Sequence, residues 1–74
     1  MKRIDVVHRG GEWVGKTGTR TVVKGGTKDE AVHAAARAAR ADPAPVSVKI
    51  HKLNGEFQEE RTYPRSADPR RSKG

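Results

Sequence analysis

Basic side chains are interleaved with threonine, valine and glycine between residues 16 and 28. The four cations of this stretch are Lys16, Arg20, Lys24 and Lys28. Lysine and arginine donate charge-assisted hydrogen bonds to phosphate oxygens, and hydroxyl and exposed backbone N–H groups add further donors. We therefore predict that this stretch contacts the phosphate backbone of a nucleic acid.

The distribution of charge favours the same partner. The chain of 74 residues has a net charge of +7 and an isoelectric point near 10.4. Residues 1–28 carry seven Lys or Arg against two acids, residues 29–63 carry five against six, and residues 64–74 carry four against one. The cations of the last segment are Arg65, Arg70, Arg71 and Lys73. Basic ends of this kind are typical of nucleic-acid binding, although solubility alone also accounts for them.

One stretch matches a nucleotide-binding pattern that we reject on its context. The letters GGEWVGKT from Gly10 to Thr17 fit the P-loop pattern GxxxxGK[ST]. A P-loop needs a helix opening at the Lys-Thr step and a long parallel sheet behind it. Trp13 and Val14 are typical of a strand, and the chain is short. We expect no nucleotide site here.

Other chemistry is not supported by residue spacing. The three histidines, His8, His33 and His51, fall on separate elements without metal-ligand spacing, and the chain has no cysteine. The absence of cysteine excludes a disulfide framework, a thiolate zinc site and cysteine catalysis. No acid pair or Ser-His-Asp set is apparent. We expect no enzyme, no metal and no cofactor. The N-terminus has no apolar signal-peptide core, so we expect a cytoplasmic protein without membrane contact.

A helix is expected from about Lys28 to Ala41. Thr27 and Glu30 form a capping-box pattern, and the alanines that follow favour helix. One side of this helix is small and apolar, formed by Val32, Ala35, Ala36 and Ala39. The opposite side is polar, formed by Glu30, His33, Arg37 and Arg40. This spacing predicts an amphipathic helix that lies close to a sheet.

A hairpin with Gly10-Gly11 at its tip is expected before the helix, because both positions of the favoured turn need positive φ. In this register Arg9 faces Glu12, His8 faces Trp13, Val7 faces Val14 and Asp5 faces Lys16. Val7 and Val14 then lie on the solvent side as a small apolar patch, which either has no role or forms part of a subunit contact. Residues 16–24 either continue the second strand past a bulge at Gly18 or form another short strand.

A second hairpin is expected after the helix, with Asn54-Gly55 at its tip. Its predicted pairs are Val46 with Tyr63, Val48 with Arg61, Lys49 with Glu60, Ile50 with Glu59 and Lys52 with Phe57. Phe57 and Tyr63 would both face the core. The predicted fold is therefore α+β, with the order β-β-α-β-β and the helix across one face of an antiparallel sheet. A strand order of 2-1-3-4 is compatible with this. We expect residues 1–63 to form one domain and residues 64–74 to form a disordered basic tail.

Four short motifs occur in a recognisable order. They are the Gly-Gly-x-Trp step at Trp13, Thr-x-x-Glu-Ala at Thr27, His-x-x-Asn-Gly at His51 and Arg-Thr-Tyr at Tyr63. Together they resemble a small bacterial and phage family known as domain of unknown function 2188, over about residues 3–64. Gly15 departs from the apolar residue expected there. The resemblance implies a ββαββ fold without enzymatic activity, and no functional residue is carried over from it.

Two functions therefore remain as hypotheses. The first is weak, salt-sensitive and non-specific binding of nucleic acid through the basic ends. The second is a protein-interaction module or homodimer, because the apolar core is thin and self-association would extend it. A phage-type protein that modulates a host factor is one form of this second hypothesis.

Overall fold

The computed structural model describes residues 2–63. Three strands precede one helix and two strands follow it. In chain order they are β1 Lys2–Arg9, β2 Glu12–Thr17, β3 Arg20–Gly25, α1 Lys28–Ala41, β4 Val46–His51 and β5 Phe57–Tyr63. The predicted tail, residues 64–74, lies outside the described residues.

The five strands form one mixed sheet in the order β3-β2-β1-β4-β5. Of the two alternatives for residues 16–24, a separate short strand is the one observed, so the predicted order β-β-α-β-β lacks β3. The predicted all-antiparallel sheet is wrong, because β1 and β4 run parallel. Both errors have the same cause. The additional strand β3 reverses the chain once more before the helix, so the crossover delivers β4 in the same direction as β1. The expected position of the first strand, between its hairpin partner and the strand after the helix, is confirmed.

The first hairpin has the predicted register. Arg9 pairs with Glu12, His8 with Trp13, Val7 with Val14, and Asp5 with Lys16. Gly10 and Gly11 have φ values of 57° and 83°, which is the left-handed region that this turn requires. Because Glu12–Thr17 is a strand, the P-loop letters do not adopt P-loop geometry.

The second hairpin follows the predicted register only as far as Ile50 and Glu59. The pairing then shifts, Gln58 is the additional residue, and Phe57 lies opposite His51 rather than Lys52. In the loop, the Gly55 N–H donates a hydrogen bond of 2.9 Å to the Lys52 carbonyl oxygen. Gly55 has φ 92°, which is typical of a three-residue loop that carries a bulge. The prediction that Phe57 faces the core is wrong, since its exposure is 51%.

The helix begins and ends where the sequence predicts. The Glu30 N–H donates to Thr27 Oγ1 at 3.1 Å, and the Thr27 N–H donates to Glu30 Oε1 at 3.2 Å, which completes the capping box. The buried helix residues are Ala31, Ala35, Ala36 and Ala39. Val32, which we predicted on the apolar side of the helix, is only partly buried, and Ala31 faces the core instead. Within residues 2–63, no helix has the length and apolar character needed to cross a membrane.

The core lies between α1 and one face of the sheet. Its largest fully buried side chains are Val6, Val48 and Ile50, and Tyr63 is exposed by only 4%. Because the helix contributes alanines, the sheet supplies most of the buried apolar area. No helix of residues 2–63 covers the other face of the sheet, and we call this face the open face.

Candidate nucleic-acid interface

The open face is built from alternate residues of the strands. Successive side chains of a strand point to opposite faces, so residues that alternate with the core residues share the open face. Its charged and aromatic members are Arg3, Asp5, Arg9, Glu12, Lys16, Lys24, Lys49, His51, Phe57 and Glu60. Five of these are Lys or Arg and three are acids, so the open face is cationic.

Asp5 lies at the centre of the open face. Its Oδ2 is 3.1 Å from Arg3 Nε, and its Oδ1 is 3.3 Å from His51 Nε2. Lys16 of β2 and Lys49 of β4 lie beside it in register. The two lysines are therefore two strands apart, about 10 Å across the sheet. Asp5 therefore orients Arg3 and His51, and neither flanking lysine lies within ion-pair distance of it.

Three cations of the open face have no ion-pair partner within residues 2–63. They are Arg9, Lys16 and Lys49. Lys24 reaches Glu12 only at 4.0 Å, with both side chains more than half exposed, so this pair contributes little. An unpaired cation at a protein surface is available for an anionic ligand at little desolvation cost.

A groove of about 300 Å³ follows β1 along the open face. Its lining residues are Arg3, Asp5, Val7, Arg9, Lys16, Gly18 and His51. From Arg3 to Arg9 the strand is about 20 Å long, since each residue advances about 3.3 Å. The groove therefore offers cations at both ends and near its middle, which is an arrangement suited to an extended polyanion.

On the helix side of the molecule, Lys2 and Arg61 are paired with acids and Arg40 lies against an aromatic ring. Lys2 Nζ is 2.8 Å from Asp42 Oδ2, and this hydrogen bond lowers the pKa of the Asp42 carboxyl below its usual value. Arg61 Nε donates to Glu59 at 2.7 Å, which raises the pKa of the Arg61 guanidinium. The guanidinium of Arg40 lies 5.1 Å from the centre of the Tyr63 ring.

A match to a protein family covers nearly all of the described residues. Residues 4–63 match the family described as "Uncharacterized protein conserved in bacteria (DUF2188)". The chain belongs to the DUF2188 family. The resemblance inferred from the four motifs is thereby confirmed. No curated protein and no solved structure matches the chain. The family description names no activity, substrate or partner.

The predicted phosphate contacts of this DUF2188 protein do not form one cluster. Lys16 and Lys24 share the open face. Arg20 follows the β2–β3 turn and lines a separate cleft of about 360 Å³ with Lys2 and Arg3. Lys28 lies on the helix side, where its Nζ donates a hydrogen bond to Gln58 Oε1. The same Nζ is 5.6 Å from the centre of the Trp13 ring. The other four predicted contacts, Arg65, Arg70, Arg71 and Lys73, lie outside the described part of the chain.

Three further cations of the DUF2188 open face are not among the predicted contacts. They are Arg3, Arg9 and Lys49. Alternation along β1 places Arg3 and Arg9 on one face with Asp5, so this signal is present in the sequence. Lys49 cannot be placed beside them from the sequence, because its position depends on the parallel pairing of β1 with β4.

The predicted apolar patch is smaller than expected. Val7 and Val14 pair with each other on the open face, as predicted. However, Val14 is only 5% exposed and Val7 is half-buried. The expectation that both valines face solvent is therefore wrong. The most exposed large apolar side chains of residues 2–63 are instead Leu53 and Phe57, at 68% and 51%.

The histidines of the DUF2188 protein lie on three different elements, as predicted. His8 is in β1 and packs edge-on against Trp13, His33 is in α1, and His51 is in β4. Among residues 2–63, no group of three or more His, Asp or Glu side chains is arranged to hold a metal ion.

Proposed function

We propose that this DUF2188 protein binds nucleic acid without sequence specificity, through phosphate contacts on the open face of its sheet. The observation that supports this proposal best is the location of Arg9, Lys16 and Lys49. All three lie on the sheet face that no helix covers, and none is used in an ion pair within the described range. The helix side also has cations without an ion-pair partner in this range, Arg37 and Arg40 among them, but these do not line the groove along β1.

The chemistry of these side chains favours backbone contacts over base reading. Lysine ammonium groups act as point charges toward phosphates, whereas base reading usually requires a bidentate side chain held in a groove. A five-stranded sheet is also too wide for the major groove, which admits a helix or a two-stranded ribbon. As part of this proposal, the protein is a cytoplasmic binding protein of bacteria and not an enzyme.

We expect the affinity for an oligonucleotide to fall steeply with salt. If three cations each neutralise one phosphate of a single strand, the slope of log K against log salt concentration is about −2. The affinity would then decrease about 15-fold between about 50 and 200 mM salt. Fluorescence anisotropy of a labelled oligonucleotide, titrated at several salt concentrations, measures this slope. No complex at low salt, or an affinity that does not change with salt, would contradict the proposal.

A second candidate is a homodimer or protein-interaction module that uses a sheet edge. It is supported by β3, an edge strand in which four of six residues are exposed, including Val22 at 38%. Unpaired backbone N–H and C=O groups of an edge strand can pair with another chain. Light scattering over a range of protein concentrations tests this candidate, and a monomeric mass throughout would eliminate the homodimer.

A further inference from the structure

We propose that the nucleic acid bound by the open face is single-stranded, and that one of its bases stacks on the ring of Phe57. This inference rests on the proposed function. It adds to that function the class of nucleic acid and a contact that does not depend on charge.

The bulge in β5 places Phe57 on the open face. The register shift after Ile50 and Glu59 sets Phe57 opposite His51. The two rings meet edge to face, with centroids 6.0 Å apart and an angle of 80° between their planes. His51 holds Phe57 from one side, and half of the Phe57 side chain remains exposed. Exposure of a large apolar ring is unfavourable in water, and the ring therefore has apolar area to bury against a ligand.

The neighbours of Phe57 connect it to the cations. His51 Nε2 is 3.3 Å from Asp5, and Asp5 lies between Lys16 and Lys49 in register. Lys49 precedes His51 by two residues on the same face, about 7 Å along the strand. A base on the Phe57 ring would therefore have an unpaired ammonium group close to its phosphate.

The combination of an exposed ring and unpaired cations on one face favours a single strand. In a duplex the bases are stacked on one another, so a flat sheet face reaches only phosphates, sugars and groove edges. A single strand presents the faces of its bases, and proteins bind these faces by stacking them on aromatic side chains beside a basic groove. Phe57 would contribute to binding of a single strand and would contribute nothing to binding of a duplex.

The test compares a labelled oligo-dT of about 12 nucleotides with a duplex of the same length, at low salt. We expect the wild-type protein to bind the single strand more tightly. Phe57→Leu keeps an apolar side chain but removes the ring, and it should weaken single-strand binding about five-fold or more while duplex binding stays unchanged. Phe57→Trp retains a ring and should restore single-strand binding. Leu53→Ala is the control and should change neither affinity, since Leu53 is an exposed apolar residue of the adjacent loop.

The outcomes separate this inference from the proposed function. If wild-type protein binds both oligonucleotides with a steep salt dependence but Phe57→Leu changes neither affinity, the stacking inference is overturned and the proposed function stands. An equal loss on single strand and duplex would also overturn the inference. If wild-type protein binds neither oligonucleotide, both are overturned. If Phe57→Leu instead abolishes self-association measured by light scattering, Phe57 is a protein contact and the inference is wrong.

Discussion

Gly25→Ala should destabilise the domain by about 3 kcal/mol, the largest effect that we expect from a single added methyl group. A Cβ at this position would overlap the amide nitrogen of Ala31. It would also lie 2.9 Å from both Ala31 Cα and the Glu30 carbonyl carbon. These are backbone atoms of the first turns of α1, so no side chain can rotate to make room. For a domain of this size, a loss of about 3 kcal/mol lowers the melting temperature by about 15 °C.

Gly26→Ala is the matched control for Gly25→Ala. The added Cβ would have one close neighbour, Glu30 Oε1 at 3.0 Å, which is the end of a flexible side chain. Neither glycine has a positive φ, so the folded backbone accepts alanine at both positions. Alanine also restricts the unfolded chain equally at both positions. We expect Gly26→Ala to change the free energy of unfolding by less than about 1 kcal/mol. Thermal melting followed by circular dichroism compares the two variants, and equal melting temperatures would contradict the close approach of β3 and α1.

Reversal of Lys16 and Lys49 should remove most of the nucleic-acid binding. A unit charge about 4 Å from a phosphate contributes about 1 kcal/mol in water, so reversal of one lysine costs about 2 kcal/mol, or roughly 30-fold. The double variant Lys16→Glu and Lys49→Glu should therefore bind at least about 100-fold more weakly at low salt. The slope of log K against log salt concentration should become shallower by about 0.7 for each phosphate that is no longer neutralised. Fluorescence anisotropy titrations at several salt concentrations measure both quantities.

Arg37→Glu is the control for each single reversal. Arg37 is exposed on the helix side, and its reversal changes the net charge by the same amount as Lys16→Glu or Lys49→Glu. If binding depended only on net charge, all three single variants would be equally impaired, and the open face would not be the site.

Since both lysines lie beside Asp5, a glutamate at either position would lie next to the like charge of Asp5. The neutral variants Lys16→Gln and Lys49→Gln avoid this, and each should reduce the binding free energy by about half as much as the corresponding reversal.

Several features are predictable because they depend on neighbours in sequence. The capping box of Thr27 and Glu30 joins residues three apart, and the structure confirms it. The register of β1 and β2 follows from the two glycines between them, because a two-residue turn fixes every pair behind it. The alternation of β1 likewise predicts that Ile4 and Val6 share the buried face.

Predictions from the sequence are wrong or incomplete where a few residues change the direction or the register of a strand. The stretch from Arg20 to Gly25 is ambiguous, because its threonines and valines suit either a continued strand or a separate one. The bulge at Gln58 moves Phe57 from the core to the open face, since a shift of one residue exchanges the two faces of a strand. Without this bulge, regular alternation would place Phe57, the candidate stacking residue, in the core.

The sequence alone determined the helix, its cap, the tip of the first hairpin and the excess of cations, because these depend on local conformational preferences and composition. The register of the first hairpin also places Arg9 and Lys16 on one face, and it is the tertiary pairing of β1 with β4 that brings Lys49 beside them. Lys16, Arg9 and Lys49 lie on three different strands, and they meet on the open face because β1 pairs with β2 on one side and with β4 on the other. The parallel pairing of β4 with β1 depends on the number of chain reversals before the helix and on the burial of apolar residues of both strands beneath α1. Neither of these appears in the spacing of the basic residues themselves.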